Sequence, residues 1–224
     1  MDFALKPLTE NSGQNQPHPA HALRVAAHFF SILFHPLLLS SYTIAFLIYL
    51  HPSAFVGVDA HTRLLRMSST VLFTFLYPAI VIFLAWRLKL VRSISLNNMQ
   101  DRIVGFMVTM FFYWWTWNVF RNLQDIPPVA VHFALGSFLA ICGGWMCNIF
   151  FKISMHALAA GGLCAFFIAF GMHDAFASGL YIAVPLLLTG LVCSSRLILG
   201  QHTPFEIYIG LLIGALAQWF TWLL

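Results

Sequence analysis

Charge is what this chain has least of. Only 8% of its 224 residues are Asp, Glu, Lys or Arg, against about a quarter in an ordinary soluble domain. A water-soluble globule is thereby excluded, and polar disorder with it, since that state needs low hydrophobicity. The 11 Lys and Arg residues are scattered through a chain that is 60% hydrophobic. They form no basic stripe, so nucleic acid is not an expected partner. Cysteine is scarce too: Cys142, Cys147, Cys164 and Cys193 all lie inside apolar runs, with neither metal-ligand spacing nor a disulfide framework. They read as small buried hydrophobes. Internal repeats, low-complexity blocks and period-two alternation are absent. Residues 1–24 are polar and lack a charged-then-apolar leader pattern, and they are expected to form a flexible tail ahead of a single domain over 25–224.

What fills the chain is apolar, with a mean hydropathy of +0.84. Between charged residues lie seven uncharged runs, 26–50, 67–86, 103–120, 126–151, 153–172, 175–195 and 207–224. A bilayer core takes about 20 apolar residues per helix. Only helices or closed barrels satisfy backbone polar groups there. The expectation is an all-α polytopic membrane bundle of seven spans, or six if the first, broken at His35-Pro36, is re-entrant. Gly143-Gly144, Ala159-Ala160-Gly161-Gly162 and the Gly210/Gly214 pair mark close helix contacts. The run Tyr113-Trp114-Trp115-Thr116-Trp117 fits either an interfacial belt or inward packing.

If all seven runs cross, the connections at 87–102, 152–154 and 195–205 emerge together. That gathers Arg102, Lys152, Ser154, His156, Ser195, Arg196, His202 and Glu206 at one face, a set no other part of the chain matches. Any one charged residue at a helix end can be a membrane anchor; the grouping suggests more. Cations and hydroxyls suit a phosphate ester, and two histidines can supply nucleophile and acid. Asp101 and Glu206 are too few carboxylates for a Mg²⁺ cage, so no metal and no cofactor is expected. Thr203-Pro204-Phe205-Glu206 also has the form of a helix capping box, and His156 could simply bond a backbone carbonyl.

Ser195-Arg196 followed by five residues, His202, three more and Glu206 resembles the third signature of the type 2 phosphatidic acid phosphatase superfamily, with glutamate for its aspartate. Lys152-Ile153-Ser154-Met155-His156 is similar to a degenerate second signature, normally P-S-G-H. Of the first signature, K-x6-R-P, Arg102 supplies the arginine, while Ser95 and Ile103 replace lysine and proline. The resemblance runs from about residue 88 to 224. It implies a membrane lipid phosphatase in which His202 attacks phosphorus, Glu206 orients it and His156 serves as acid and then base. Arg196, Arg102, Ser154 and Lys152 would hold the phosphoryl oxygens. Phosphatidic acid, phosphatidylglycerophosphate, a polyprenyl diphosphate and phosphorylated lipid A are all compatible substrates. The alternative is a weakened relative that binds or transports a lipid phosphate without hydrolysis. Membrane lipids are the only other partners expected, and oligomeric state is open. The expected setting is a bacterial cytoplasmic membrane. Orientation stays open: the positive-inside rule puts the site face in the cytoplasm by eight cations to three, or by five to three without the three that would bind phosphate, and this second tally reverses if the first span is re-entrant and Lys6 and Arg24 change sides. The resemblance favours an extracytoplasmic site.

Overall fold

The structure, a computed structural model, describes residues 21–51, 53–94, 98–176 and 179–224. In chain order these form α1 (His21–Leu33), α2 (Pro36–Ala45), α3 (Ala60–Val71), α4 (Tyr77–Arg87), α5 (Met99–Arg121), α6 (Pro128–Asn148), α7 (Met155–His173), α8 (Leu180–Ile198) and α9 (Pro204–Phe220). No strand occurs among the described residues. The uncharged runs become helices because a helix satisfies its own backbone donors and acceptors in an apolar surrounding. Residues 1–20 of the expected tail, and Ser95, lie outside the described residues. Residues 21–24 are the first turn of α1 rather than tail.

The expected seven spans are corrected to about six. Five helices are long and apolar enough to cross a bilayer, and six if the bent pair His21–Leu33 and Pro36–Leu50 counts as one. That pair turns by 59°, because Pro36 cannot donate a helical hydrogen bond and displaces the residue before it from helical geometry. At 17 residues α9 is shorter than the other apolar helices. α3 and α4 join through a π-helical turn at Leu72–Leu76 into one 28-residue helix, Ala60–Arg87.

α7 is the centre of the bundle. Two-thirds of its apolar stretch is buried, against a third or less for the other candidate spans. Its Ala- and Gly-rich sequence lets α9 lie alongside at backbone distance. A methyl group at Gly214 would sit 2.0 Å from the Leu158 carbonyl oxygen, so the α9 backbone can take that place only with glycine there. The two helices run parallel. The Ser154 N–H donates to the Glu206 carbonyl at their starts, and Trp222, just past α9, stacks between His173 at the end of α7 and His132 of α6. The glycine-marked contacts are thus all between packed helices: Gly143 meets Ile213 of α9, and Gly144 meets Leu158 of α7. The aromatic run on α5 divides by helix face, with Tyr113 buried and Trp114 and Trp115 exposed.

Opposite ends of the bundle are held differently. At the end away from the candidate site, the His51 ring donates from Nε2 to Asp174 at 2.8 Å, and Arg66 makes a two-pronged ion pair with Asp125. At the other end the starts of α5, α7 and α9 and the ends of α6 and α8 converge.

Candidate active site

The last turn of α8 closes at Gly200, whose φ of +64° is the left-handed conformation that ends helices without steric cost. The chain then turns through His202 and restarts at Thr203, the N-cap of α9, whose Oγ1 accepts the Glu206 N–H at 3.3 Å. The cap leaves the Glu206 carboxylate free to reach back one turn. Its Oε2 accepts a hydrogen bond from His202 Nδ1 at 2.6 Å. A carboxylate can only accept from a ring N–H, so Nδ1 carries the proton and Nε2 presents its lone pair. The His202 side chain is 4% exposed. Burial, reinforced by the nearby Lys152 and Arg196 cations, holds its pKa below the ordinary histidine value despite the opposing pull of Glu206.

His202 lies at the wall of a cavity of about 750 Å³ that also takes in Arg102, Lys152, His156 and Arg196. Lys152 Nζ donates to the Gln201 carbonyl at 2.9 Å, tying the second segment to the third. Arg196 donates from Nη1 to Ser31 Oγ at 2.7 Å. His156 donates from Nε2 to the Ser31 carbonyl at 3.1 Å, with the Ser31 hydroxyl at 3.4 Å. The carbonyl-bonding alternative for His156 therefore holds, yet the ring still borders the cavity, and its Nδ1 makes no hydrogen bond to any described residue. Arg102 is 4% exposed. It donates from Nε to Asn148 Oδ1 at 2.9 Å and from Nη2 to the Ile153 carbonyl, so it braces the α6–α7 turn while its edge lines the cavity.

Two expected hydroxyls are placed elsewhere. Ser154 is fully buried, its Oγ accepting the Ala157 N–H as the N-cap of α7, and it does not line the cavity. A serine beginning a helix satisfies an orphan N–H before it can serve a ligand. Ser195 donates to the Leu191 carbonyl at 2.7 Å. Sequence reasoning missed Ser31, His35 and Asn148. His35-Pro36 was the available signal for the first two, since a break in a span is where polar groups can face inward. Asn148 is a fully buried amide at the end of an apolar run.

Beyond its polar mouth the cavity continues inward between α2, α4, α5, α6 and α7, past Ala79, Ile82, Phe106, Ala140 and Ala159 to the Ser40–Tyr113 hydrogen bond of 3.0 Å. The site thus joins a cluster of cations and histidines to an apolar interior. No family model, curated protein or solved structure matches the chain.

Proposed function

We propose that this protein is a membrane lipid phosphatase acting through a phosphohistidine on His202. The observation that carries the reading is the 2.6 Å contact of His202 Nδ1 with Glu206, which leaves Nε2 as a free lone pair at a cation-lined cavity wall. In the first step Nε2 attacks phosphorus, the N–P bond forms, and the bond from phosphorus to the lipid oxygen breaks. Glu206 offsets the positive charge that develops on the ring. The leaving alkoxide takes a proton. That proton comes from Nδ1 of His156 in its imidazolium form, with Nε2–H still committed to the Ser31 carbonyl, and the ring is left neutral with Nδ1 bare. A water then gives its proton to the same nitrogen and attacks the phosphohistidine, releasing phosphate and restoring neutral His202. Arg196 and Lys152, with the free edge of Arg102, offset the phosphoryl charge.

An amphiphile fits the cavity's two chemistries. The apolar wall that continues inward from the histidines would take the first part of the lipid chain along with its head group. The resemblance of the 195–206 segment to the type 2 phosphatidic acid phosphatases supports the same chemistry. The competing reading, a relative that holds or moves lipid phosphates unhydrolysed, draws support from the commitment of Ser154, Ser195 and much of Arg102 to the protein itself. Phosphate release by purified protein from a panel of lipid monophosphates and diphosphates, with products identified, decides between them. Hydrolysis of at least one lipid, abolished in His202→Ala, is expected. Tight binding without release would establish the competing reading.

A further inference from the structure

The elbow between α1 and α2 brings a third histidine into the cavity wall, and no role given so far uses it. His35 is the N-cap of α2, where its Nδ1 accepts the Leu37 N–H at 3.4 Å. A neutral imidazole that accepts at Nδ1 carries its proton on Nε2. That Nε2–H makes no hydrogen bond to any described residue. The ring borders the cavity and stands edge-on to His156, with centroids 5.6 Å apart and planes at 80°. It is anchored on one side by the helix it caps and on the other by the proposed proton carrier.

Around the mouth, phosphate donors are fewer than the sequence suggests. Ser154 and Ser195 are bonded to the backbone, and two of the three Arg102 nitrogens hold the α6–α7 turn. A phosphoryl group offers three strong acceptor oxygens, each in need of a donor once water is displaced. His35 is a neutral donor that remains free at that wall, deeper than the exposed Gln201 amide at the mouth. It adds a directed hydrogen bond without a further full charge beside Arg196.

We propose that His35 is a phosphate-binding residue of this site, its Nε2–H donating to an oxygen of the bound phosphate group. This rests on the lipid-phosphate reading above and extends the site into the first, bent span, outside the part of the chain that resembles the phosphatases.

The test uses the purified full-length protein in detergent, titrated calorimetrically with inorganic phosphate. His35→Asn keeps the helix cap, because asparagine is among the best N-cap residues, and removes the Nε2 donor. Phosphate affinity should fall roughly 10- to 100-fold, the loss of one hydrogen bond to a charged acceptor, with the melting temperature unchanged. A second measurement needs no variant. In protein labelled with ¹⁵N-histidine, phosphate should shift the His35 Nε2 resonance and leave His132 and His173, at the far end, where they were. Wild-type affinity in His35→Asn, or an unmoved His35 resonance while Arg196→Ala abolishes binding, overturns the role of His35 and leaves the phosphate site standing. Failure of the wild-type protein to bind phosphate at all overturns both.

Discussion

Glu206 serves a helix with its backbone and a histidine with its side chain, and the two services can be separated by substitution. The cap runs from the Glu206 N–H to Thr203, so Glu206→Gln leaves it intact. What the amide loses is the charge that orients His202 and stabilises its cation. Phosphate release should fall by about 10³–10⁴, on the scale of the Asp→Asn change in a serine-protease triad, with thermal stability unchanged. Glu206→Asp should keep part of the activity. The lowered pKa of His202 adds a pH dependence. The reactive form is the neutral ring, so the acid limb of kcat/KM should fall below about 6.5, the ordinary histidine value, and move in the His202-proximal variant Lys152→Met. For stability the sign is the same: a depressed histidine contributes fully above its unfolded pKa, and the contribution is lost as pH falls through the folded one. Ser31 acts through Arg196 and is a positioning residue. Ser31→Ala should raise KM roughly tenfold, one hydrogen bond to a charged group, with kcat little changed, and Ser31→Thr should restore it. At this scale the sequence was legible where polar side chains meet within one loop, as His202 and Glu206 do in 195–206. It was not legible where the partner comes from 165 residues away, as Ser31 does for Arg196, because no local pattern marks that contact.

The pairing of α7 with α9 fixes the site, since His156 and Ser154 begin one helix while Thr203 and Glu206 begin the other. Small residues at this seam were readable as close packing, because in a bilayer helices associate through van der Waals contact that small side chains permit. Gly214→Ala tests it. The added methyl would overlap the Leu158 carbonyl oxygen, and overpacking of this kind costs about 1–3 kcal/mol. The melting temperature in detergent should drop, and activity should drop with it as the Ser154–Glu206 register shifts. The break at Pro36 was also legible. The shortness of the last helix was not, because an uncharged run of adequate length does not reveal that its helix covers only 17 residues, Pro204–Phe220.

Across the whole bundle, the cavity joins a polar mouth to an apolar interior, and on the proposed reading that junction would sort substrates. Ala159→Phe would fill the inner part while leaving the histidines and cations in place. Hydrolysis of long-chain lipid phosphates should fall at least tenfold, a loss of about 1.4 kcal/mol, while a short soluble phosphate ester should be cleaved as before. Equal loss on both would place the lipid chain outside the bundle. No sequence pattern foretold this cavity, since its inner part is a gap left by five helices, and the pattern of each helix shows only what that helix covers.

The parallel arrangement of α7 and α9 has a consequence in time. Parallel neighbours need a third helix to carry the chain back, so α7, the most buried helix of all, is inserted two helices before the partner that covers it. The elbow at His35 precedes Pro204, the first residue of α9, by 169 residues, roughly 10 to 30 seconds at ordinary rates of synthesis. Until α9 emerges, the glycine face of α7 must be sheltered by lipid or by the insertion machinery, and the cavity wall lacks the His202–Glu206 pair. On the proposed reading, the nucleophile thus arrives only with the helix that covers α7, and no half-built bundle would hydrolyse a lipid phosphate.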